Sequence, residues 1–548
     1  MTDLLSPRFP EVVLAATACL LFLLGTSTTV LTRKMSAYIS LVVLVVVFIG
    51  QICRTTYHVA SIIDAGGAVH TQPFSEYIKL ITTGIGALLV LLNMPTNRDG
   101  TGGNASNFGG DTAEFFGLLL LSLAGLCIVA SANDLMLLFL GIELTSIPTY
   151  IMVSISRPIP VAQEAGLKYF FLGAMSAAIM LFGFSYLYGT TGSTSLDQIT
   201  NIFAAQNMPG KANWTDWQTL AVLMLIAGFA FKMAAVPLHS YAGDVYQGAA
   251  TPVTAFLSFV PKTAGFVALI KVLYAVGGGS WAVPDVVAKT LWVIAALTMT
   301  FGNILGLLQF NIKRTLAYSS VAHTGYMLVG ITALVSAGKV STGPVSASIQ
   351  SDALEGVLFY LAAYGITNVA AFGVLLLLPS RHNRPATSAE TFEDIAGQGR
   401  KHVALGLAMT VACLSLTGIP LTIGFLGKIY LTLPAAHANL VGLSIILWVN
   451  AAISAAYYLR IVISMFLRSE PTQMVGPTAG PLRLFQPASV VFAVMLSVIL
   501  TLLLGTYFPA TKLLSTRVAA AAKIEHPPKT MPMVIAGNDP AAKPQAGL

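Results

Sequence analysis

The feature that most constrains this chain is a succession of apolar runs, each close to the roughly 20 residues a helix needs to cross a bilayer core. They fall near 10–31, 37–54, 73–93, 113–131, 134–154, 163–188, 217–238, 249–276, 288–309, 314–336, 353–379, 403–432, 436–467 and 487–508. That is about fourteen spans, touching or joined by short loops, so one bundle is expected rather than a string of domains. Only 9% of the 548 residues are charged and 55% are hydrophobic. Soluble domains carry about 25% charge, so a soluble globule is excluded, and disorder is excluded on the same ground. The fold class is all-α, polytopic and membrane-embedded. The first run follows Asp3 and no clear A-x-A cleavage site comes after it, so it reads as a retained helix rather than a signal peptide.

A net charge of +7 would suggest nucleic acid in a soluble protein. Here it reads as topology, because Lys and Arg collect in cytoplasmic loops. One alternating loop set holds Arg33, Lys34, Arg98, Arg157, Lys313, Arg314, Arg381, Arg384, Arg400, Lys401, Arg468 and Arg483. The other holds Arg54, Lys79, Lys211, Lys289 and Lys339. The bias places both termini outside the cytoplasm. Lys512, Arg517, Lys523, Lys529 and Lys543 of the tail oppose it, but the last helix has little say in orientation. The Pro- and Ala-rich tail is expected to be disordered from about 524.

Two spans are interrupted. The seventh reads IAGFAFKMAAVPLHSYAGDVYQGAATPVTAFLSF, and Pro237, Gly243, Gly248 and Pro252 cannot all sit in one unbroken helix. The twelfth, LSLTGIPLTIGFLGKIY, carries Gly418-Ile419-Pro420 inside an apolar stretch. Broken helices at membrane depth are tolerated where protein or a wet cavity satisfies the backbone, so they point to transport sites. Val236-Pro237-Leu238 aligns with Ile419-Pro420-Leu421 at an offset of 183, and Tyr150-Ile151-Met152-Val153 with Tyr326-Met327-Leu328-Val329 at 176. The repeat spans an odd number of helices, which inverts the second copy. The expected division is N-terminal helices 1–3 over 1–112, a five-helix unit over 113–276, a second and inverted unit over 288–467, and the last helix with its tail over 487–548.

A charge at a helix centre costs about 2.5–3.5 kcal/mol on insertion scales, so those that sit there need a reason. Glu143 lies in LMLLFLGIELTSIPTY, Lys232 just before the seventh-span break, Lys262 mid-span in FLSFVPKTAGFVALI, and Lys428 just after the twelfth-span break. His239 and His323 lie in or beside the same segments, and Lys168 sits about a turn and a half into its helix. Lysines near helix ends usually snorkel, which accounts for Lys271 and Arg460. Lys168 reads equally either way. A buried histidine is either a satisfied structural residue or a relay, and Glu143 is either a buried hydrogen-bond partner or an acid of the site. Lys232, Lys262 and Lys428 have too few acids nearby to pair them all, which favours transport.

Burial disfavours a charged amine and a nearby carboxylate restores it. A Glu143–Lys232 pair that opens and closes therefore changes the proton affinity of the lysine and its neighbours. Each decade is about 1.4 kcal/mol, and moving one charge across 100 mV is worth about 2.3 kcal/mol, so shifts of this kind match a proton step. His323 is suited to bridge Lys262 and Lys428, since imidazole both accepts and donates. The set is a proton wire in composition and lacks the several oxygen ligands of a metal-cation cage. The cysteines, Cys19, Cys53, Cys127 and Cys413, form no C-x-x-C, and neither G-x-G-x-x-G nor G-x-x-x-x-G-K-[ST] occurs. Any redox or nucleotide chemistry is expected on another chain.

At these residues the sequence resembles the N-type subunit of bacterial respiratory complex I, the proton-translocating NADH–quinone oxidoreductase, within the antiporter-like family. The matching stretches are GIELTSIPTYIMV, EAGLKYFFLGAMSAAIMLFG, FKMAAVPLHSYAGDVYQGAATPVTAFLSFVPKTAGF, NIKRTLAYSSVAHTGYMLVG and LSLTGIPLTIGFLGKIY. D-V-Y-Q-G-A and the lysine at 428 favour the N type over the M type, where a glutamate is expected, and no lateral helix of the longer L type fits the tail. The resemblance implies that Glu143 is the acid paired with Lys232, that Lys262 is the central lysine, that Lys428 belongs to the broken twelfth helix, and that Lys168 and His323 are further polar-axis positions. It implies a bacterial inner-membrane location and M-, K- and J-type neighbours. Flavin (FMN), iron–sulfur clusters, quinone and NADH would be handled by partner subunits, with no cofactor in this chain, no nucleic acid, and membrane lipids around it. The long 94–112 loop and the extended tail depart from the pattern outside these motifs. The competing functions are an Mrp-type cation/proton antiporter subunit and a non-pumping structural subunit.

Overall fold

In the computed structural model of the chain, the apolar runs are helices, and no strand occurs among the described residues, which are 8–26, 30–56, 73–94, 111–157, 159–207, 212–340, 343–378, 389–469 and 487–522. In chain order these are α1 (Phe9–Gly25), α2 (Val30–Thr56), α3 (Pro73–Asn93), α4 (Thr112–Ser131), α5 (Leu135–Ile155), α6 (Pro160–Thr191), α7 (Leu196–Gln206), α8 (Asp216–Met233), α9 (Tyr241–Gly248) and α10 (Thr251–Val276). They continue as α11 (Asp285–Leu307), α12 (Ile312–Val340), α13 (Pro344–Leu377), α14 (Phe392–Ile395), α15 (Gln398–Lys401), α16 (Val403–Thr417), α17 (Ile423–His437), α18 (Val441–Phe466), α19 (Ala488–Thr506) and α20 (Phe508–Ala522). Twelve are long and apolar enough to cross a membrane, and α1 and α16 are shorter apolar helices. The protein is an all-α polytopic membrane protein. The count of about fourteen spans holds only if those two shorter helices also cross. Large apolar side chains such as Phe171, Phe182, Ile445 and Phe492 stand exposed on the outer faces of α6, α18 and α19, as expected of surfaces that meet lipid or neighbouring subunits rather than water.

Local sequence explains where the elements start and stop. Pro160, Pro252 and Pro344 sit in the first turns of α6, α10 and α13, where the missing N–H costs nothing. Thr215 and Gln218 form a capping box that opens α8. The seventh span breaks after Met233, where Ala234 takes a left-handed backbone (φ 58°). Gly243 and Gly248 then lie within the short α9 rather than breaking it. The twelfth breaks at Gly418 (φ 84°) and Leu421 (φ 74°), between α16 and α17.

The packing of the first five-helix stretch recurs in the second. α4 runs along α5 as α11 does along α12, α6 packs on α8 as α13 does on α16 and α17, and α10 touches α4 and α5 as α18 touches α11 and α12. The capping repeats as well. Asp134 accepts from Met136 N and Leu137 N at the start of α5, and an antiparallel bridge joins it to Ser195. Asn311 accepts from Arg314 N at the start of α12 and bridges Thr391. Arg157, just past the end of α5, pairs with Glu390 beside the start of α12 at 2.7 Å, so the two bridges lie at opposite ends of the bundle.

Three features depart from the sequence reading. α7 is an additional helix whose Leu196, Ile199 and Phe203 are buried; its 11 residues are too short to register as a span. α20 follows α19 and packs on α3 and α13, in a stretch whose mixed Ala, Lys and Arg composition gives no span-like signal. Arg54, Lys79 and Lys313, counted among loop charges, are buried in α2, α3 and α12 at 4%, 0% and 0% exposure. The 94–112 loop lies outside the described residues over 95–110, and the tail read as disordered lies outside them over 523–548.

The backbone is tightly packed at the second break. A Cβ on Gly424 would fall 2.0 Å from the Ser415 carbonyl oxygen of the preceding half-helix. Gly424→Ala is expected to push α16 and α17 apart and to cost about 1–3 kcal/mol. A lower thermal midpoint of the purified complex checks it.

Candidate functional site

Of the charges the sequence singles out, four lie within the bundle. Lys232 at the last turn of α8 is 4% exposed, Lys262 in α10 3%, Lys428 in α17 0% and His323 in α12 2%. Lys232 Nζ donates to Glu143 Oε1 of α5 at 2.8 Å, to Ser146 Oγ at 3.0 Å and to Tyr150 OH at 3.2 Å. Glu143 is half-buried. Its partner is a charge-assisted bond of the stronger class, and Ser146 and Tyr150 lie three and seven positions along the same helix face.

A small cavity, with room for about one water molecule, lies between Lys232 and Lys262, and Tyr169, Tyr241 and Tyr246 also line it. Leu257 and Pro261 complete one wall. Pro261 sits inside α10 and has no N–H to offer the Leu257 carbonyl one turn earlier, which leaves an acceptor beside Lys262. Tyr246 OH in turn accepts from Ser320 Oγ at 3.3 Å.

α12 is the rib that carries the row onward. Lys262 Nζ donates to the Ser320 carbonyl oxygen at 2.8 Å and to Thr324 Oγ1 at 3.0 Å, and Thr324 donates across to the Met233 carbonyl beside Lys232 at 2.7 Å. One residue before Thr324, His323 meets Tyr360 OH through Nδ1 at 2.7 Å and Tyr458 OH through Nε2 at 3.1 Å. Tyr458 also shares a hydrogen bond with Ser319. Tyrosines, not lysines, therefore occupy both ring nitrogens of His323. Next on α12, the Tyr326 ring lies 4.7 Å from Lys428 Nζ. Lys428 Nζ donates to the carbonyls of Leu416 and Thr417 at 3.1 and 2.6 Å, the last carbonyls of α16. Gly418 allows this approach, since a Cβ there would meet Lys428 Cδ at 2.8 Å.

The two halves share one motif. Lys232 Nζ lies 5.8 Å from the centroid of Tyr150, and Lys428 is set over Tyr326, the residue aligned with Tyr150 at an offset of 176. In the first half the amine meets a carboxylate; in the second, among the described residues, it donates to carbonyls alone. Ser319 stands at the position aligned with Glu143.

Lys168 and His239 lie apart from this row. Lys168 has a 45% exposed side chain and pairs with Glu164 and Asp244 at 2.8 and 2.9 Å, beside the Asp244–Arg314 pair. His239 is half-buried in the bend between α8 and α9, and its Nδ1 meets no hydrogen-bond partner among the described residues. Tyr246, Ser320, Thr324, Tyr360 and Tyr458 were not singled out from sequence, because a hydroxyl on an apolar helix has no signature until its partner is known. Among the described residues, no group of three or more His, Cys, Asp or Glu side chains is arranged to hold a metal ion.

Residues 132–454 match the family model described as NADH:quinone oxidoreductase/Mrp antiporter, TM. NADH-quinone oxidoreductase subunit N of Myxococcus xanthus is 37% identical over 415 residues, which span 73% of this chain and 76% of that one. A chain of respiratory complex I from Thermus thermophilus with bound aureothin superposes with a TM-score of 0.69 at 29% identity, over 91% of this chain and 98% of that one. A chain of the Mrp complex from a Dietzia species superposes at 0.75 over 95% and 97%, but at 17% identity, so it speaks for the fold alone. The family match encloses Glu143, both breaks and all four buried charges of the row, and with more than a third of residues shared with a relative over most of both lengths, this chain belongs to the NADH-quinone oxidoreductase subunit N family.

Proposed function

We propose that the chain is a membrane-arm subunit of respiratory complex I, moving protons along the row Glu143–Lys232–Lys262–His323–Lys428 while partner subunits pass electrons from NADH or another donor to quinone. The observation that carries this is the continuity of the row. A small cavity lies between Lys232 and Lys262, Thr324 accepts from Lys262, His323 one residue along α12 meets two tyrosine hydroxyls, and the Tyr326 ring faces Lys428; of these, the hydroxyls and the imidazole can both give and take a proton. Lys168 and His239 are assigned to the flanks, Lys168 through its exposed pair with Asp244. FMN, iron–sulfur clusters and the quinone pocket belong to the partners, among them M-, K- and J-type neighbours.

The recurring packing and capping support a division into helices 1–3 over 1–112, two inverted five-helix repeats over 113–276 and 288–467, and a last segment over 487–548. The charge bias supports a bacterial inner-membrane protein with both termini outside the cytoplasm, and it keeps its direction when the buried Arg54, Lys79 and Lys313 are left out. An Mrp-type antiporter subunit has the same fold. The relatives named subunit N favour the complex I reading, and isolation from native membranes together with NADH-oxidising subunits, rather than antiporter subunits, decides it.

Lys262→Ala tests the function directly. In the assembled complex in proteoliposomes it is expected to lower protons moved per electron pair, because Ser320 and Thr324 then face a gap. Normal coupling with normal assembly would leave a structural role only.

A further inference from the structure

α1, α2 and α3 lie outside the family match, yet they bury a second set of charges. Lys79 of α3 is 0% exposed, and its Nζ stands 2.7 Å from Glu11 Oε1 of α1. Arg54 Nε, at the end of α2, is 3.4 Å from Glu76 Oε2 of α3, a residue 9% exposed. Ser131 Oγ, at the end of α4, donates to Glu11 Oε1 at 2.7 Å. Lys271, near the end of α10, donates to the neighbouring Ala132 carbonyl at 2.7 Å and lies within electrostatic reach of Lys79, Glu11 and Asp197. The starts of α1 and α3 and the ends of α2, α4 and α10 thus meet at the end of the bundle where α1 begins.

The set is incompletely satisfied. Glu11 Oε2 and both oxygens of Glu76 are buried and accept no hydrogen bond from the described residues. Buried ion pairs rarely repay their desolvation unless the remaining lone pairs are met, and a half-satisfied network is worse for stability than an apolar core. Unfilled carboxylate lone pairs beside a fully buried amine suit a different purpose, because they are where a proton can land. Lys79 is wholly enclosed while the Glu11 side chain is 12% exposed, so the pair grades from the interior toward the surface. On α10, Lys271 follows Lys262 by nine residues, about 13 Å along the helix.

We propose that Lys79 and Glu11, flanked by Glu76, Arg54 and Lys271, form a second proton-exchanging site, opening at the end of the bundle where α1 begins. The step is a transfer from the Lys79 ammonium to the Glu11 carboxylate. It leaves an amine and a carboxylic acid with no change in net charge, and Glu11 then releases the proton to water at that end. The inference rests on the proton-translocating reading above and adds a site outside its row.

The test uses the full complex in proteoliposomes with Lys79→Arg, and Lys232→Ala as reference. Arginine keeps the charge and the pair with Glu11 but cannot be deprotonated, so a purely structural ion pair tolerates it. The expected result is normal complex content and normal uncoupled NADH oxidation, with protons moved per electron pair reduced as much as in Lys232→Ala. Full stoichiometry in Lys79→Arg alongside a loss in Lys232→Ala overturns the second site and leaves the main row standing; full stoichiometry in both overturns the reading beneath it as well. If Lys79→Arg does not assemble, Glu11→Gln is measured in the same way and decides. Failure of both to assemble assigns the network a structural role and overturns the proposal.

Discussion

Lys232→Ala in the assembled complex is expected to abolish this subunit's share of proton movement. The ammonium it removes donates to Glu143, Ser146 and Tyr150 at once, and Lys232 is the ion-pair partner of Glu143 among the described residues. Truncation strands the carboxylate. Breaking a buried pair from one side costs about 3–5 kcal/mol, and the 16% exposure of the Glu143 side chain places this case toward the lower bound. Removing both charges with Glu143→Gln/Lys232→Ala is expected to restore stability relative to the single variant, since no uncompensated charge remains, while proton movement stays absent. Thermal midpoints of the four members of that cycle give the coupling energy, and quinone-driven acidification of proteoliposomes gives the function. Full stoichiometry in Lys232→Ala would remove the amine from the transfer row.

The spans and breaks were legible because each rests on a local property of the sequence. Run length marks the helices, and Gly418 and Pro237 mark the interruptions. The embedded amines were legible because a lysine in an apolar run is rare and expensive. What joins them was not. Tyr246, Ser320, Tyr360 and Tyr458 come from four helices, and only the packing of α9, α12, α13 and α18 makes them one chain of contacts. Lys79 shows the same limit from the other side. It lies seven residues into α3 and was counted among the loop charges, because sequence gives its place along a run but not its depth or its neighbours. Glu11, sixty-eight positions away, turns it into a buried ion pair. α7 and α20 were missed for a related reason. A short amphipathic or Ala-rich helix is fixed by what it packs against, and hydropathy over a span-sized window averages that signal away.

Lys428 separates two roles that the geometry joins. Its ammonium holds the Leu416 and Thr417 carbonyls, which close α16 and carry the partial negative charge of a helix C-terminus. The charged lysine therefore pins the two halves of the broken helix together, and loss of its proton weakens that hold, so protonation and the geometry of the break are one coupled variable. Lys428→Ala leaves two buried acceptors unmet at about 1–3 kcal/mol each, and both thermal stability and proton movement are expected to fall. Lys428→Arg retains donors for the carbonyls and a cation over the Tyr326 ring but has no proton to release. It is expected to keep most of the stability that the alanine variant loses and to lose proton movement all the same. If the arginine variant moves protons at the normal ratio, Lys428 serves as a helix cap alone, and the transfer row ends at His323 and its two tyrosines.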